Sequence, residues 1–335
     1  MSLPTRTRHI ALAARPQGAP TPADFRLEEV ELPELGDGEI LVRNTVMSVD
    51  PYMRGRMNDV KSYVAPFALD APLDGGAVGE VLASRSPDVA VGDRVLHGLG
   101  WREHAVLPAS RVTVVDISSV SDSAYLGVLG MPGVTAYVGL TAVAEMREGD
   151  VVFVSGAAGA VGQIAGQVAK ALGASRVIGS AGTADKVARV LELGYDDAFV
   201  YKDGPVRESL QAAAPEGIDV YFDNVGGEHL EAAISALRLH GRVAMCGAIS
   251  QYNATETTPG PRNLFQAIGK GLTLRGFIVG QYPDLAAEYR ERAAGWLAEG
   301  RLTSDETVRE GLDAAPQAFI DLLAGANTGK MIVRL

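Results

Sequence analysis

Residues 151–173 read VVFVSGAAGAVGQIAGQVAKALG, and the fold follows from this stretch. Val151, Val152, Phe153 and Val154 form a short, mostly β-branched apolar run, the pattern of a strand buried on both faces. Small residues follow from Gly156 to Gly162. Then Val161, Ile164, Ala165, Val168, Ala169 and Leu172 recur at helical spacing, and Gly173 stands where a helix ends. Strand, glycine turn and helix together aim backbone N–H groups and a helix N-terminus at a pyrophosphate. The spacing is Ala157, Gly159, Gly162, so alanine replaces the first glycine of the GxGxxG pattern. By itself the motif also fits a tight turn with no ligand, and its surroundings must decide.

Upstream, residues 1–124 read as many short strands: 10–14, 25–31, 39–48, 76–84, 94–96, 102–107 and 112–115, separated by Gly, Pro and Asp. That spacing suggests a partly open barrel or sandwich. From about Ser121 the pattern changes. Helices are expected at 122–129, 134–144, 184–193, 206–213 and 228–238. Strands are expected at 176–179, 198–201, 218–222, 242–246 and 272–278. With 151–154 these make six strands joined by crossovers, an α/β doubly wound parallel sheet of the Rossmann type. Beyond Gly280 a helix at 284–299, a strand at 306–310, a helix at 315–323 and a strand at 331–335 read as the chain returning to its first domain. Residues 255–262, with two prolines and a glycine, are the expected mobile loop.

Composition narrows the function. The chain has 335 residues, 47% of them apolar, and a net charge of −11. No basic cluster stands out, which argues against nucleic acid or an anionic membrane as main partner. The single cysteine, Cys246, excludes an internal disulfide and a cysteine-based structural zinc site. The first residues hold no apolar run of signal-peptide length, and no run of about 18 apolar residues is present. A cytoplasmic protein is the expectation.

The second Rossmann strand indicates the cofactor. An Asp or Glu at its tip normally binds the adenine ribose 2′-OH. Here Gly179, Ser180, Ala181 and Gly182 stand there, with Lys186 just beyond. A missing carboxylate beside a cation fits a 2′-phosphate, hence NADP(H) over NAD(H). Lys186 as an ordinary solvated lysine, or one paired with Asp185, is the alternative.

Six segments carry a resemblance: SVDPYMRGRM (48–57), GMPGVTAYVGL (130–140), SGAAGAVGQIAGQVAKALG (155–173), YFDNVGG (221–227), CGAISQYNAT (246–255) and NTGKMIVRL (327–335). In these, over essentially its whole length, the chain resembles the zinc-independent medium-chain dehydrogenases/reductases of the alkenal/prostaglandin reductase branch. The resemblance implies a GroES-like domain (1–124), a Rossmann NADP-binding domain (125–298) and a return to the first domain (299–335). It implies NADPH-dependent reduction of the C=C bond of α,β-unsaturated ketones or aldehydes, and no metal. Carried over by position, it puts the cofactor phosphates on Gly159, Ala160, Val161, Gly162 and Gln163. The 2′-phosphate falls to Lys186 and Tyr201. The nicotinamide half falls to Asn224, Cys246, Gly247, Ala248, Ile249, Ser250, Phe277, Ile278, Val279 and Asn327, with the cofactor between domains. His97 and His104 lack a second soft ligand nearby and read as plain histidines.

Reducing an enone needs a hydride at the β-carbon, a donor for the charge growing on the carbonyl oxygen, and a proton at the α-carbon. A tyrosine suits the donor role, since its O–H stays protonated at neutral pH. Tyr252 follows the fifth Rossmann strand, where loops face the ligand, and Tyr52 is the second candidate. Either could instead be a packing aromatic, and the cofactor's ribose hydroxyl could share the role. Two other readings stay open: an NADPH:quinone reductase, and a non-catalytic NADPH-binding sensor. The apolar sixth strand, if an edge, invites pairing with a second copy, so a homodimer is expected.

Overall fold

A computed structural model of the chain describes residues 3–335. It divides into two compact units. One runs up to Leu126 and takes in Glu306–Asn327 and Met331–Leu335; the other comprises Gly127–Asp305 and Thr328–Lys330.

The first unit is built mainly of strands. Strands β1 (Arg6–Leu12) and β2 (Phe25–Glu31) pair antiparallel with Leu12 opposite Phe25. Next come β3 (Glu39–Ser48), the short helix α1 (Met53–Arg56), β4 (Ala77–Ser84), β5 (Arg94–His97), β6 (His104–Pro108) and β7 (Thr113–Val114). β3 is the hub: it pairs antiparallel with β4 and with β6. Residues 122–129, expected as an α-helix, form only the 3₁₀ turn Asp122–Leu126.

The second unit holds the parallel sheet. Helix α2 (Met131–Val138) leads to strand β8 (Val151–Val154), helix α3 (Ala160–Ala171), strand β9 (Arg176–Ala181) and helix α4 (Ala184–Glu192). Strand β10 (Asp197–Val200), helix α5 (Val206–Ala213), strand β11 (Ile218–Asp223), helix α6 (Gly227–Ala236) and strand β12 (Leu237–Met245) follow. Helix α7 (Gln266–Lys270), strand β13 (Thr273–Gly276) and helix α8 (Pro283–Ala298) complete it. The chain ends in β14 (Glu306–Glu310), α9 (Ala315–Leu323) and β15 (Lys330–Arg334); β15 pairs antiparallel with β3 in the first unit's sheet, with β14 on its far side.

The six strands of the second unit lie in the order β10-β9-β8-β11-β12-β13, every neighbouring pair parallel. This is the 3-2-1-4-5-6 order of a doubly wound dinucleotide fold, with its switch point between β8 and β11. Val152, Phe153 and Val154 are fully buried, as the apolar run requires. Phe153 stacks on Tyr221 with ring centroids 5.0 Å apart in the core beneath α5 and α6.

Local readings shift in three places. The helix expected at 228–238 ends at Ala236, and β12 begins at Leu237. Leu237 pairs with Ile218, and the strand then passes through left-handed backbone at His240 (φ 61°) before resuming register at Arg242. A bulged strand breaks the alternation on which a strand is recognised. The helix expected at 134–144 stops being α-helical at Val138 and widens into a π turn at Gly139–Val143. A β-carbon at Gly139 would collide with the Phe222 ring, so the turn packs where only glycine fits. The sixth strand, expected over seven residues, pairs over four at the open edge of the sheet.

Candidate cofactor and active site

The turn after β8 explains why alanine is tolerated in the glycine pattern. The left-handed residue is Gly156 (φ 61°); Ala157 has ordinary backbone and its N–H donates to Ser180 O at 2.9 Å. The Ala157 methyl is fully buried and fills space that glycines leave on the neighbouring segments. A β-carbon at Gly179 would stand 2.9 Å from it, and one at Gly162 would stand 2.7 Å from Ala157 Cα. Gly162 therefore serves close packing of helix on turn. Gly159 serves access: an added β-carbon there would meet only Gly156 O, at 3.3 Å.

Gly159 is the N-cap of α3 and no side chain caps the helix. The first-turn N–H groups of a helix have no partner within it. Gly159, Ala160 and Val161 are partly exposed there; the Gly159 N–H donates to Gly156 O at 3.0 Å, and Gly159 bridges Gly329, so the positive end of the helix dipole is what the turn presents. Those features fit a dinucleotide pyrophosphate. Gln163 differs from its neighbours. Its side chain is fully buried, with Nε2 donating to Asp305 Oδ2 (2.8 Å) and Oε1 accepting from Asp305 N (3.0 Å). It holds the segment 303–305 on the helix, and only its backbone remains near the turn.

The carboxyl ends of β8, β11 and β12 are tied into one network. Ser155, after β8, accepts the Asn224 N–H at 3.1 Å on its Oγ, and its carbonyl accepts Asn224 Nδ2 at 2.8 Å. Asp223, at the end of β11, accepts the Tyr221 hydroxyl (2.7 Å) and the N–H groups of Val225 (3.0 Å) and Gly226 (2.7 Å) on one carboxylate oxygen. Its carbonyl accepts the N–H groups of Cys246 (2.9 Å) and Gly247 (3.0 Å). Burial pushes the Asp223 carboxyl above its usual range, against the pull of those donors. Burial, helped by Asp223, also pushes the Cys246 thiol up to about 12, so it stays a neutral thiol. Ser250 Oγ donates to Val225 O at 2.6 Å. Asn224 and Cys246–Ser250, which the sequence placed at the nicotinamide, thus stand together at the switch point. Sequence reasoning missed Asp223 as the tie between them; its place in YFDNVGG was the available signal.

Tyr252 closes this loop. Its hydroxyl accepts the Ala248 N–H at 3.3 Å, so its oxygen lies against the loop that follows β12. Phe277, just past β13, sets its ring edge-on to Phe222 with centroids 6.5 Å apart; Ile278 is exposed, and Val279 opens a short 3₁₀ turn. At the tip of β9, Lys186 lies in the first turn of α4 after its N-cap Thr183. Burial and then Lys202 lower its pKa. Tyr201, directly after β10, packs against His229 with ring centroids 5.1 Å apart and planes 71° apart. Two residues belong to the first unit. Asn327 is buried there. Tyr52 precedes α1, packed on the core that includes Met53 and Phe67. Burial and Asp50 raise the Tyr52 pKa, which keeps its hydroxyl a donor across the neutral range.

The sheet order, the glycine turn and the uncapped helix define a dinucleotide-binding unit of the oxidoreductase type. Comparison with known proteins agrees. Residues 8–115 match the N-terminal domain of oxidoreductases and residues 160–299 the zinc-binding dehydrogenases, although this chain has no cysteine before Cys246. It is 40% identical to the NADPH-dependent curcumin reductase of Escherichia coli over 98% of this chain and 97% of that one. It is 41% identical to the NADP(+)-dependent 2-alkenal reductase of Nicotiana tabacum over 94% of each. The structure of CurA from Vibrio vulnificus in complex with NADPH superposes with a TM-score of 0.93 at 40% identity, covering 98% of both chains. The chain belongs to the medium-chain dehydrogenase/reductase family, in its zinc-independent alkenal/prostaglandin reductase branch.

Proposed function

We propose that the protein reduces the C=C bond of α,β-unsaturated ketones and aldehydes with NADPH. The observation that carries the reading is the whole-length likeness to enzymes named as a curcumin reductase and a 2-alkenal reductase. The carboxylate-free tip of β9 with Lys186 supports NADPH as the nucleotide.

When bound, NADPH supplies the hydride for the substrate's β-carbon. The chain's own part is to bind, orient and donate. The turn Gly159–Gly162 and the N-terminus of α3 take the pyrophosphate, and Lys186 with Tyr201 takes the 2′-phosphate. Asn224, Cys246–Ser250, Phe277–Val279 and Asn327 line the nicotinamide half. Tyr252 donates a hydrogen bond from its hydroxyl to the carbonyl oxygen as charge develops there, while its oxygen accepts from Ala248, and the α-carbon takes its proton from solvent; Tyr52 is the second donor. A neutral thiol at Cys246 suits a protein that handles electrophilic alkenes, since the thiolate is the form they alkylate.

The test is a panel of enones, enals and quinones followed by loss of NADPH absorbance, beside NADH. Enones and enals turning over faster than quinones supports the reading; quinones first would make it a quinone reductase. NADPH bound but not oxidised by any acceptor in the panel would make it a sensor. A kcat/KM for Tyr252→Phe within twofold of wild type removes Tyr252 from the chemistry and passes the role to Tyr52 or a cofactor hydroxyl. We infer a homodimer formed through the β13 edge, and a cytoplasmic location that cell fractionation would check. Among the described residues no helix is long and apolar enough to cross a membrane.

A further inference from the structure

We propose that Lys202 is a second cation for the adenosine 2′-phosphate and shares with Lys186 the preference for NADPH over NADH. The inference rests on the NADPH reading above and extends it to a residue outside the segments that carry the family resemblance.

Three segments converge beyond the tip of β9. Gly182 follows that strand with no side chain. A β-carbon built on it would stand 3.5 Å from both Cε1 and the hydroxyl oxygen of Tyr201, and 3.6 Å from Cε of Lys202. The Lys202 ammonium lies 5.9 Å from the centroid of the Tyr201 ring, so the Lys202 side chain runs alongside that ring toward Gly182. Lys186 is on the third segment, in the first turn of α4, which begins two residues after Gly182. Its ammonium is partly desolvated, and Lys202 is the charged neighbour that adds to the lowering of its pKa.

Two ammonium groups that repel each other are costly to hold together, and the cost vanishes when an anion sits between them. The chain as a whole carries −11, so a local pair of cations at this spot runs against its general charge. Asp185 and Asp203, the carboxylates adjoining the two lysines in sequence, are both exposed. The ligand that fits is a dianionic phosphate monoester: two cations and a tyrosine hydroxyl, gathered beside a glycine that has no side chain to cover them. NADH carries only a hydroxyl at the same position, so Lys202 gives it nothing. Lys202 thus acts on nucleotide choice, away from the reacting atoms.

The experiment compares 2′-AMP with 5′-AMP by titration calorimetry, which needs no turnover, on wild type, Lys202→Gln and Lys202→Arg. Wild type should bind 2′-AMP more tightly than 5′-AMP. Lys202→Gln should weaken 2′-AMP about tenfold, the size of one charge-assisted hydrogen bond, and leave 5′-AMP unchanged within about twofold. Lys202→Arg should keep most of the affinity. In steady state, Lys202→Gln should lower the ratio of kcat/KM for NADPH to that for NADH by about tenfold through KM, with kcat unchanged. A wild type that prefers 2′-AMP together with an unaffected Lys202→Gln overturns this proposal alone. A wild type that does not prefer 2′-AMP overturns the NADPH reading and this proposal with it.

Discussion

The Tyr195 hydroxyl donates to the carbonyl oxygen of Gly162 at 2.5 Å, and its ring packs against Gly166 one turn further along α3. Tyr195 is 4% exposed, and a β-carbon at Gly166 would collide with its ring. The helix that opens on the glycine turn is thereby held at a fixed height above β9. In an exposed helix interior, glycine to alanine gains about 0.5–1 kcal/mol. Here the sign reverses: Gly166→Ala should cost about 1–3 kcal/mol through overpacking. Urea unfolding checks it, and a stabilised Gly166→Ala would mean that the ring yields.

Asp305 is held from two sides. Arg189 donates to both of its carboxylate oxygens at 2.9 Å, and Gln163 donates to one of them. Its carbonyl also accepts the Lys330 N–H. Arg189 holds the Asp305 carboxyl below the usual carboxylate range, with Gln163 adding to the effect. A depressed carboxylate contributes stability above its unfolded pKa of about 3.9 and loses it as pH falls through the lower, folded value. The pair is about one-third exposed, with side chains at 37% and 27%, so solvent screens it. Asp305→Ala should cost about 1 kcal/mol at pH 7, and the gap from wild type should close below about pH 4. Denaturant midpoints at pH 7 and pH 3.5 measure both.

Legibility in the sequence followed physical range. The apolar run at Val151–Val154 and the helical spacing to Leu172 are local signals, and the strand and helix stand where they put them. Alternation alone pointed to six strands in a doubly wound parallel sheet, and the structure has that sheet. What failed depended on contacts distant in sequence. Leu237 looks helical beside Ala233 and Ile234, and only pairing with Ile218 makes it a strand residue. Gly139 looks like one more helical position until the Phe222 ring is set against it. The partner of the Gln163 side chain, Asp305, lies 142 positions away and no local pattern shows it. Lys202 had no motif to flag it; the closeness of its Cε to Gly182 exists only in three dimensions.

The edge of the parallel sheet carries the next prediction. β13 pairs with β12 on one side only, and α7 just before it leaves Phe265 70% and Ile268 87% exposed. Exposed apolar side chains beside an unpaired strand edge mark an interface. Light scattering should report a dimer at micromolar concentration. Ile268→Glu combined with Phe265→Glu should shift it to monomer without loss of the far-ultraviolet spectrum. A wild-type monomer ends the proposal.

His229 should make the protein acid-sensitive. The residue is 4% exposed, its Nε2 has no hydrogen-bond partner among the described residues, and its ring lies parallel to Phe153 and steeply inclined to Tyr201, with the Tyr201 centroid 5.1 Å away. Burial pushes its pKa down to about 4. The unfolded value is about 6.5, so between those limits the unfolded chain binds a proton that the native state refuses. Stability is therefore complete above about pH 6.5 and falls as pH drops toward 4. At pH 5 the loss from this one residue is about 2 kcal/mol by linkage. His97 in the other unit, pushed to about 4 by burial and Arg102, adds a loss of the same sign. His229→Phe keeps an aromatic ring against Phe153 and removes the titration. Whatever that variant costs at pH 8 through its larger ring, its stability relative to wild type should rise by about 2 kcal/mol on going to pH 5. Urea unfolding of both proteins at the two pH values measures the shift. A shift under about 0.5 kcal/mol would mean that the native state protonates His229 as readily as the unfolded chain does.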